Sequence, residues 1–258
     1  ILGNHDGNLK NSNRQDAITP IAETLNHPHL HLMKNSGEFE PQQGLVFNVL
    51  SVFDRENWIQ PSDKEAINVA LYHGAITGCQ TATGWTMTHG EDTIEIFNNF
   101  DFAMLGDIHT RQAMDTSGRI RYAGSTVQQN FGERKDKGYL LWNIRSRDDW
   151  DVDHIAITNP RPFETIVLNK DGSVPDANIR KGSRLRLVSS SNLPIDKIRK
   201  ATDIAKTKYS PYSISFLNKG TELLNEAKQQ ISGMENLRDL KVQEKWIRSY
   251  LKDYGAFQ

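Results

Sequence analysis

Residues 102–109, Phe-Ala-Met-Leu-Gly-Asp-Ile-His, decide how this chain is read. Four apolar residues make a short buried strand. A glycine ends it, and two residues able to ligate a metal, Asp107 and His109, follow at once. In an extended segment residues two apart point the same way, so Asp107 and His109 are expected to face one centre together. The same pattern occurs twice more. Asn68–Tyr72 (NVALY) ends at His73-Gly74, and the chain opens with Ile1-Leu2-Gly3-Asn4-His5-Asp6. A neutral imidazole at a strand end suits a borderline transition metal. Asn and His can both ligate, and an Asp can orient a histidine through its other ring nitrogen. Each motif by itself is also what a polar turn produces. Together they place metal-capable residues after successive buried strands, the way α/β sheets build active sites.

Composition sets bounds around that reading. The chain has 258 residues, 37% of them hydrophobic, which is enough for one large domain and a smaller one. Lys and Arg number 31 against 32 Asp and Glu, so only local patches can speak for nucleic acid. The single cysteine, Cys79, excludes an intrachain disulfide and suits a reducing cytoplasm. No apolar run is long enough to span a membrane, and a mean hydropathy of −0.61 fits a soluble protein. Ile1-Leu2 leads straight into a motif whose positioning strand should precede it, so a missing N-terminal part is expected.

Further elements follow from pattern. Gln15–Leu25 reads as a helix through Ile18, Ile21, Ala22 and Leu25, while His29–Leu32, Gly44–Phe53 and Tyr139–Ile144 read as strands. Periodicity breaks over Arg145–Pro162. Beyond it the order is strand (Phe163–Leu168), turn, strand (Ser183–Val188), helix (Pro194–Lys208) and strand (Tyr212–Leu217), a small α+β unit. The tail from Thr221 carries two apolar helix faces, and Leu240, Trp246, Ile247, Tyr250 and Leu251 suggest a partner-binding surface. Nine Lys and Arg between Asn178 and Lys208, Arg184 and Arg186 among them, give that unit a local basic excess fit to track phosphates. Arg111, Arg134 and Lys135 lie nearer the expected cleft.

Gly3-Asn4-His5-Asp6, then His73-Gly74, then Gly106-Asp107-Ile108-His109 is an ordered set that resembles the calcineurin-like metallophosphoesterases. Residues 122–144, YAGSTVQQNFGERKDKGYLLWNI, resemble more narrowly the segment that closes the nuclease domain of SbcD-type DNA repair nucleases. The resemblance implies a metallophosphoesterase β-sandwich flanked by helices over residues 1–147, a capping α+β domain over 148–219, and a helical tail over 220–258 that meets an SbcC-like ATPase. It also implies two manganese ions gripping a phosphodiester and activating water. Asn4, His73 and Asp107 would ligate one ion and His109 the other. His5 would stabilise the transition state and protonate the leaving oxygen, with Asp6 holding its tautomer. Arg111, Arg134, Lys135, Arg184 and Arg186 would contact DNA.

Two departures qualify the match. Asp107 stands where many members have histidine, a substitution that manganese tolerates. The family's Asp-x-His motif and bridging Asp should lie upstream of Gly3 and are not in this sequence, so weak manganese binding and little activity are expected of the chain by itself. The resulting expectation is a manganese-dependent exo- and endonuclease in recombination or repair, homodimeric and cytoplasmic. Two readings compete with it: a phosphatase or small-molecule phosphodiesterase of the same class, and a non-catalytic fragment that binds DNA ends or the ATPase.

Overall fold

The runs Leu45–Leu50 (β2), Ile67–His73 (β3) and Phe102–Gly106 (β4) are largely apolar, and they form the parallel centre of a six-stranded sheet. The computed structural model describes residues 1–11 and 14–219. Around that centre, Gly37–Gln42 (β1) pairs antiparallel with β2 on one edge. Ile120–Tyr122 (β6) lies parallel to β4, and Gln112–Ala113 (β5) closes the other edge antiparallel to β6, giving the order β1-β2-β3-β4-β6-β5. A core of Leu50, Ala70, Tyr72, Ile76, Cys79, Phe97, Leu105 and Tyr122 builds on this sheet and includes side chains from the segment after β3. Gly138–Ile144 (β7) and Trp150–Ala156 (β8) make a separate antiparallel hairpin. Trp142 and Trp150 stack at 5.8 Å and both meet the edge of Phe102 on β4, at 6.0 and 5.4 Å between ring centres, which fastens the hairpin to the central strands.

The chain divides into Ile1–Pro162 and a second unit beginning at Phe163. Within the second unit, Phe163–Val167 (β9), Arg184–Ser189 (β10) and Ser213–Asn218 (β11) form a parallel sheet in the order β11-β10-β9. The helix Ile195–Tyr209 (α2) buries Ala201, Ala205 and Tyr209 against Ile166, Leu168, Leu185 and Leu187. Strand alternation puts Arg184 and Arg186 on the other side of β10 from Leu185 and Leu187.

Several expectations need correction. A helix-flanked sandwich is not what the described residues form. They make three sheets, of six, three and two strands, and only two α-helices, α2 and the seven-residue α1 (Thr19–Leu25). α1 buries no residue, so it is no flanking layer, and α2 belongs to the second unit. The physical reason lies in the connections. Residues 51–66 and 74–101 contain Pro61, Gly78, Gly84, Gly90 and many Thr, and they make turns and short 3-10 segments instead of helices. The two units divide after Pro162, at the far end of the Arg145–Pro162 stretch where periodicity breaks, because β8 pairs with β7 along its whole length. His29–Leu32 is no strand: it leaves a turn at His29 as irregular chain, with His29 and His31 exposed. The helical tail expected over 220–258 lies outside the described residues.

One buried carboxylate joins the start of α1 to Lys34. Asp16 is 5% exposed and accepts the amides of Ile18 and Thr19 at the start of α1, the Thr19 hydroxyl, and the Lys34 ammonium at 2.8 Å. The Lys34 bond and the Thr19 amide outweigh burial and hold its carboxyl far below the ordinary range. A depressed native pKa contributes stability above the unfolded value and loses it as pH falls through the native one. Asp16→Asn should therefore cost about 1–3 kcal/mol at pH 7. The gap from the parent should narrow below about pH 4, the range of an ordinary carboxylate, and urea midpoints measured across pH check both statements.

Candidate metal centre

β3 and β4 lie side by side and parallel, with His73 in register with Gly106, so the residues that leave their carboxyl ends meet. The opening loop enters the same place. Asp6 N–H closes a turn onto the Gly3 carbonyl at 2.9 Å, and Leu2 and Gly3 are buried. This brings Asn4 to Asp107, whose Oδ1 accepts the Asn4 amide at 3.2 Å and lies 3.7 Å from His73 Nε2. Three side chains from three distant parts of the sequence thus meet at one place.

Glycine makes the approach possible. A Cβ on Gly3 would stand 2.7 Å from His73 Cε1, and one on Gly106 would stand 2.7 Å from His73 Nδ1. The imidazole is therefore gripped between two backbones that tolerate no side chain. Asp107 adopts φ 87°, a left-handed conformation that costs a non-glycine residue energy and is concentrated at functional sites. Burial pushes the His73 imidazole below its ordinary pKa, against the opposing pull of Asp107 and Asp6, which favours a neutral ring with a lone pair to give.

Asn4 Oδ1 is buried with no hydrogen-bond partner. Such an oxygen is costly to leave unmade, and a cation would satisfy it. With His73 and Asp107 it offers the oxygen and nitrogen donors that divalent ions of the manganese type accept. The residues present fit such an ion as part of its shell. Among the described residues no three His, Cys, Asp or Glu side chains gather to hold a metal, and the Asn4 amide is the third donor here.

Other expected site residues fall differently. His109 does not follow Asp107 along an extended strand, because the left-handed Asp107 breaks the alternation. Its Nδ1 meets Glu133 Oε1 at 2.9 Å, leaving Nε2 as the ring nitrogen open to a ligand. His5 is exposed, and the Asp6 carboxylate accepts the Gly3 amide at 2.7 Å, so Asp6 shapes the opening loop and is not seen holding the His5 tautomer. Arg111 and Arg134 line a cavity beside His109, whereas Lys135 is exposed on the loop after it. Arg184 and Arg186 are in the second unit, with the Arg184 guanidinium 4.9 Å over the Phe163 ring.

Sequence reading missed the groups that hold these residues in place. Glu133 has a fully buried side chain, which opposes its charge, but bonds from His109 and Lys137 and from the Gln129 amide hold its carboxyl below the usual range. Lys137 reaches Glu133 Oε2 at 3.0 Å and the His109 carbonyl at 2.7 Å. Tyr122, buried, accepts the Ile76 amide and donates to the Gly74 carbonyl at 2.7 Å, shaping the turn after His73. The Glu91 carboxyl is held above its ordinary range by burial and by Asp107. Glu133 lies in the quoted Phe-Gly-Glu segment, so a signal was present; nothing in the sequence separates Glu91 from any loop acid.

The first unit is thus a chiefly parallel sheet carrying a donor cluster at the carboxyl ends of its central strands. No family model matches the sequence. An uncharacterized protein of Acanthamoeba polyphaga mimivirus is 34% identical over 200 residues, which cover 73% of this chain and 14% of that protein. The chain thus spans 14% of the length of the curated relative it matches. Among the described residues no helix is long and apolar enough to cross a membrane.

Two substitutions test this geometry. Gly106→Ala drives a methyl into the His73 ring and should cost about 1–3 kcal/mol while shifting the His73 ring resonances in an NMR spectrum. Glu133→Gln leaves the Lys137 ammonium buried without its counter-charge and should cost about 3–5 kcal/mol by denaturant titration.

Proposed function

We propose that this chain is the nuclease type of metal-dependent phosphodiesterase, acting on DNA in recombination or double-strand-break repair. The observation that carries the reading is the convergence of Asn4, His73 and Asp107, with the Asn4 oxygen buried and unpartnered. These residues would hold a manganese ion. Such an ion supplies Lewis-acid polarisation of a phosphoryl oxygen and lowers the barrier to hydrolysis. The chain's own residues do the rest of the positioning. His73 is held in place between Gly3 and Gly106, Asp107 would supply negative charge to offset the cation, and the Glu133 contact fixes His109 with Nε2 as its free ring nitrogen. Arg111 and Arg134 give the adjoining cavity positive charge for a phosphate backbone.

The resemblance to SbcD-type nucleases supports the choice of DNA over a small phosphate ester. The SbcC-like ATPase partner, a homodimer and a cytoplasmic setting belong to the same proposal and rest on that resemblance and on the single Cys79. A second reading has an observation in its favour. The donor cluster holds only one His and one Asp, which suits a fragment that binds DNA ends without cutting them.

Manganese calorimetry and digestion of single-stranded and duplex DNA separate the two. Weak manganese binding with slow, chelator-sensitive DNA cleavage is expected. His73→Ala should lower manganese affinity by more than about 100-fold. Unchanged manganese affinity in that variant, or DNA binding with no cleavage at millimolar manganese, overturns the nuclease reading. Cleavage of a chromogenic diester but not of DNA points to the small-molecule enzyme.

A further inference from the structure

Beside His109 the first unit has a half-open cavity of about 280 Å³, whose lining includes Thr81, Arg111, Ser125, Arg134 and His154. Small-ligand sites begin at about 300 Å³, so there is room for roughly one nucleotide and none for a duplex. Its charge is one-sided. The lining contains the cations Arg111, Arg134 and Lys137 and a single carboxylate, Asp136. Lys137 is matched from outside the lining by buried Glu133 at 3.0 Å. Asp136 takes both guanidinium nitrogens of Arg134 at 2.9 Å and lies 3.9 Å from Arg111. Two guanidinium groups thus share one carboxylate, and a positive charge is left facing the cavity.

The second observation is a hydroxyl. Ser125 Oγ is buried and has no hydrogen-bond partner. It follows Gly124, whose φ of 78° lets the backbone pass so close that a Cβ would stand 3.0 Å from the Arg111 amide nitrogen. That turn packs the backbone at Gly124 against that of Arg111, and Ser125 and Arg111 line the same cavity. A phosphate monoester carries two charges and three acceptor oxygens, which suits an Arg fork and a hydroxyl donor together.

We propose that this cavity is a mononucleotide pocket that grips the terminal phosphate of one nucleotide. The pocket deepens the phosphodiesterase reading by naming a strand-end nucleotide as occupant. It rests on that reading for its role in cleavage, but not for binding. The phosphate could arrive on a strand end or on a released nucleotide, and the probes below separate the two.

The full chain, in chelator and without manganese, is titrated with deoxythymidine 5′-monophosphate, thymidine, and one tetranucleotide with either a 5′-phosphate or a 5′-hydroxyl. Both phosphorylated probes should bind at least about tenfold more tightly than their unphosphorylated partners. Ser125→Ala and Arg134→Met should each weaken phosphate-dependent binding about tenfold or more. Lys170→Met, at an exposed lysine of the second unit outside its basic stretch, should change nothing. Arg134 is 81% exposed and Ser125→Ala adds no bulk, so unchanged thermal midpoints are expected and verify folding. Binding of the free nucleotide but not of the phosphorylated tetranucleotide supports the pocket with a released nucleotide as occupant. Equal affinity for thymidine and its phosphate, no binding of any probe, or no effect of either pocket variant overturns the proposal. Phosphate binding without metal-dependent DNA cleavage leaves the pocket standing and removes the nuclease reading instead.

Discussion

The placement of one imidazole constrains the whole candidate centre. His73 can reach Asn4 and Asp107 only because Gly3 and Gly106 both lack a side chain where its ring must lie. That requirement links three levels of the structure. It needs β3 and β4 to be parallel neighbours in a fixed register, so that His73 and Gly106 lie side by side. It needs the opening loop to turn back at Gly3, which the Asp6 carboxylate and the Gly3 carbonyl enforce from two directions. It also needs Asp107 to leave the strand in a left-handed conformation, a local cost accepted where the reward is a carboxylate aimed at the imidazole.

Much of this was legible because burial writes a plain signal. NVALY and FAML are short apolar runs that stop at glycine-flanked polar residues, and each is the core of an observed strand. The second unit was equally readable, since its strands and helix change period cleanly from two to 3.6. The helix-flanked sandwich failed for the opposite reason. It came with the resemblance, while the connections between the strands carry no helical periodicity of their own. Ile21 and Leu25 set up an apolar stripe on α1, yet they are 56% and 63% exposed, so a stripe by itself did not create a packed layer. β8 was passed over because Asp151 and Asp153 gave it the look of a loop, although Trp150 and Val152 alternate with them at strand spacing. β1, with Pro41 and two glutamates, is an edge strand whose composition guards it against further pairing and thereby hides it.

The site residues divide along the same line. His73 and Asp107 could be singled out because polar residues after short apolar strands form a local pattern, and Asn4 because it sits in a glycine-led polar turn. The residues that support the site are not local. Glu133 meets His109 across 24 positions of sequence, and Tyr122 reaches Gly74 across 48. Both are buried polar groups, and a buried polar group announces itself only when its partners are known. The spacing argument for Asp107 and His109 shows a different failure: it assumed an extended backbone at the one residue that departs from it.

How these parts combine bears on what the centre can do. His73, Asp107 and the Asn4 oxygen would supply only part of the shell of a cation held there. That arrangement is weak as a storage site but suited to a site where substrate completes the coordination. The adjoining positive charge of Arg111 and Arg134 then matters more, because it favours the anion independently of the metal. His109 lines that cavity and is two residues from Asp107, with one ring nitrogen anchored to a buried carboxylate and the other open. A histidine held that way is oriented before any substrate arrives, which is the condition under which an imidazole can act on a phosphate without first being immobilised.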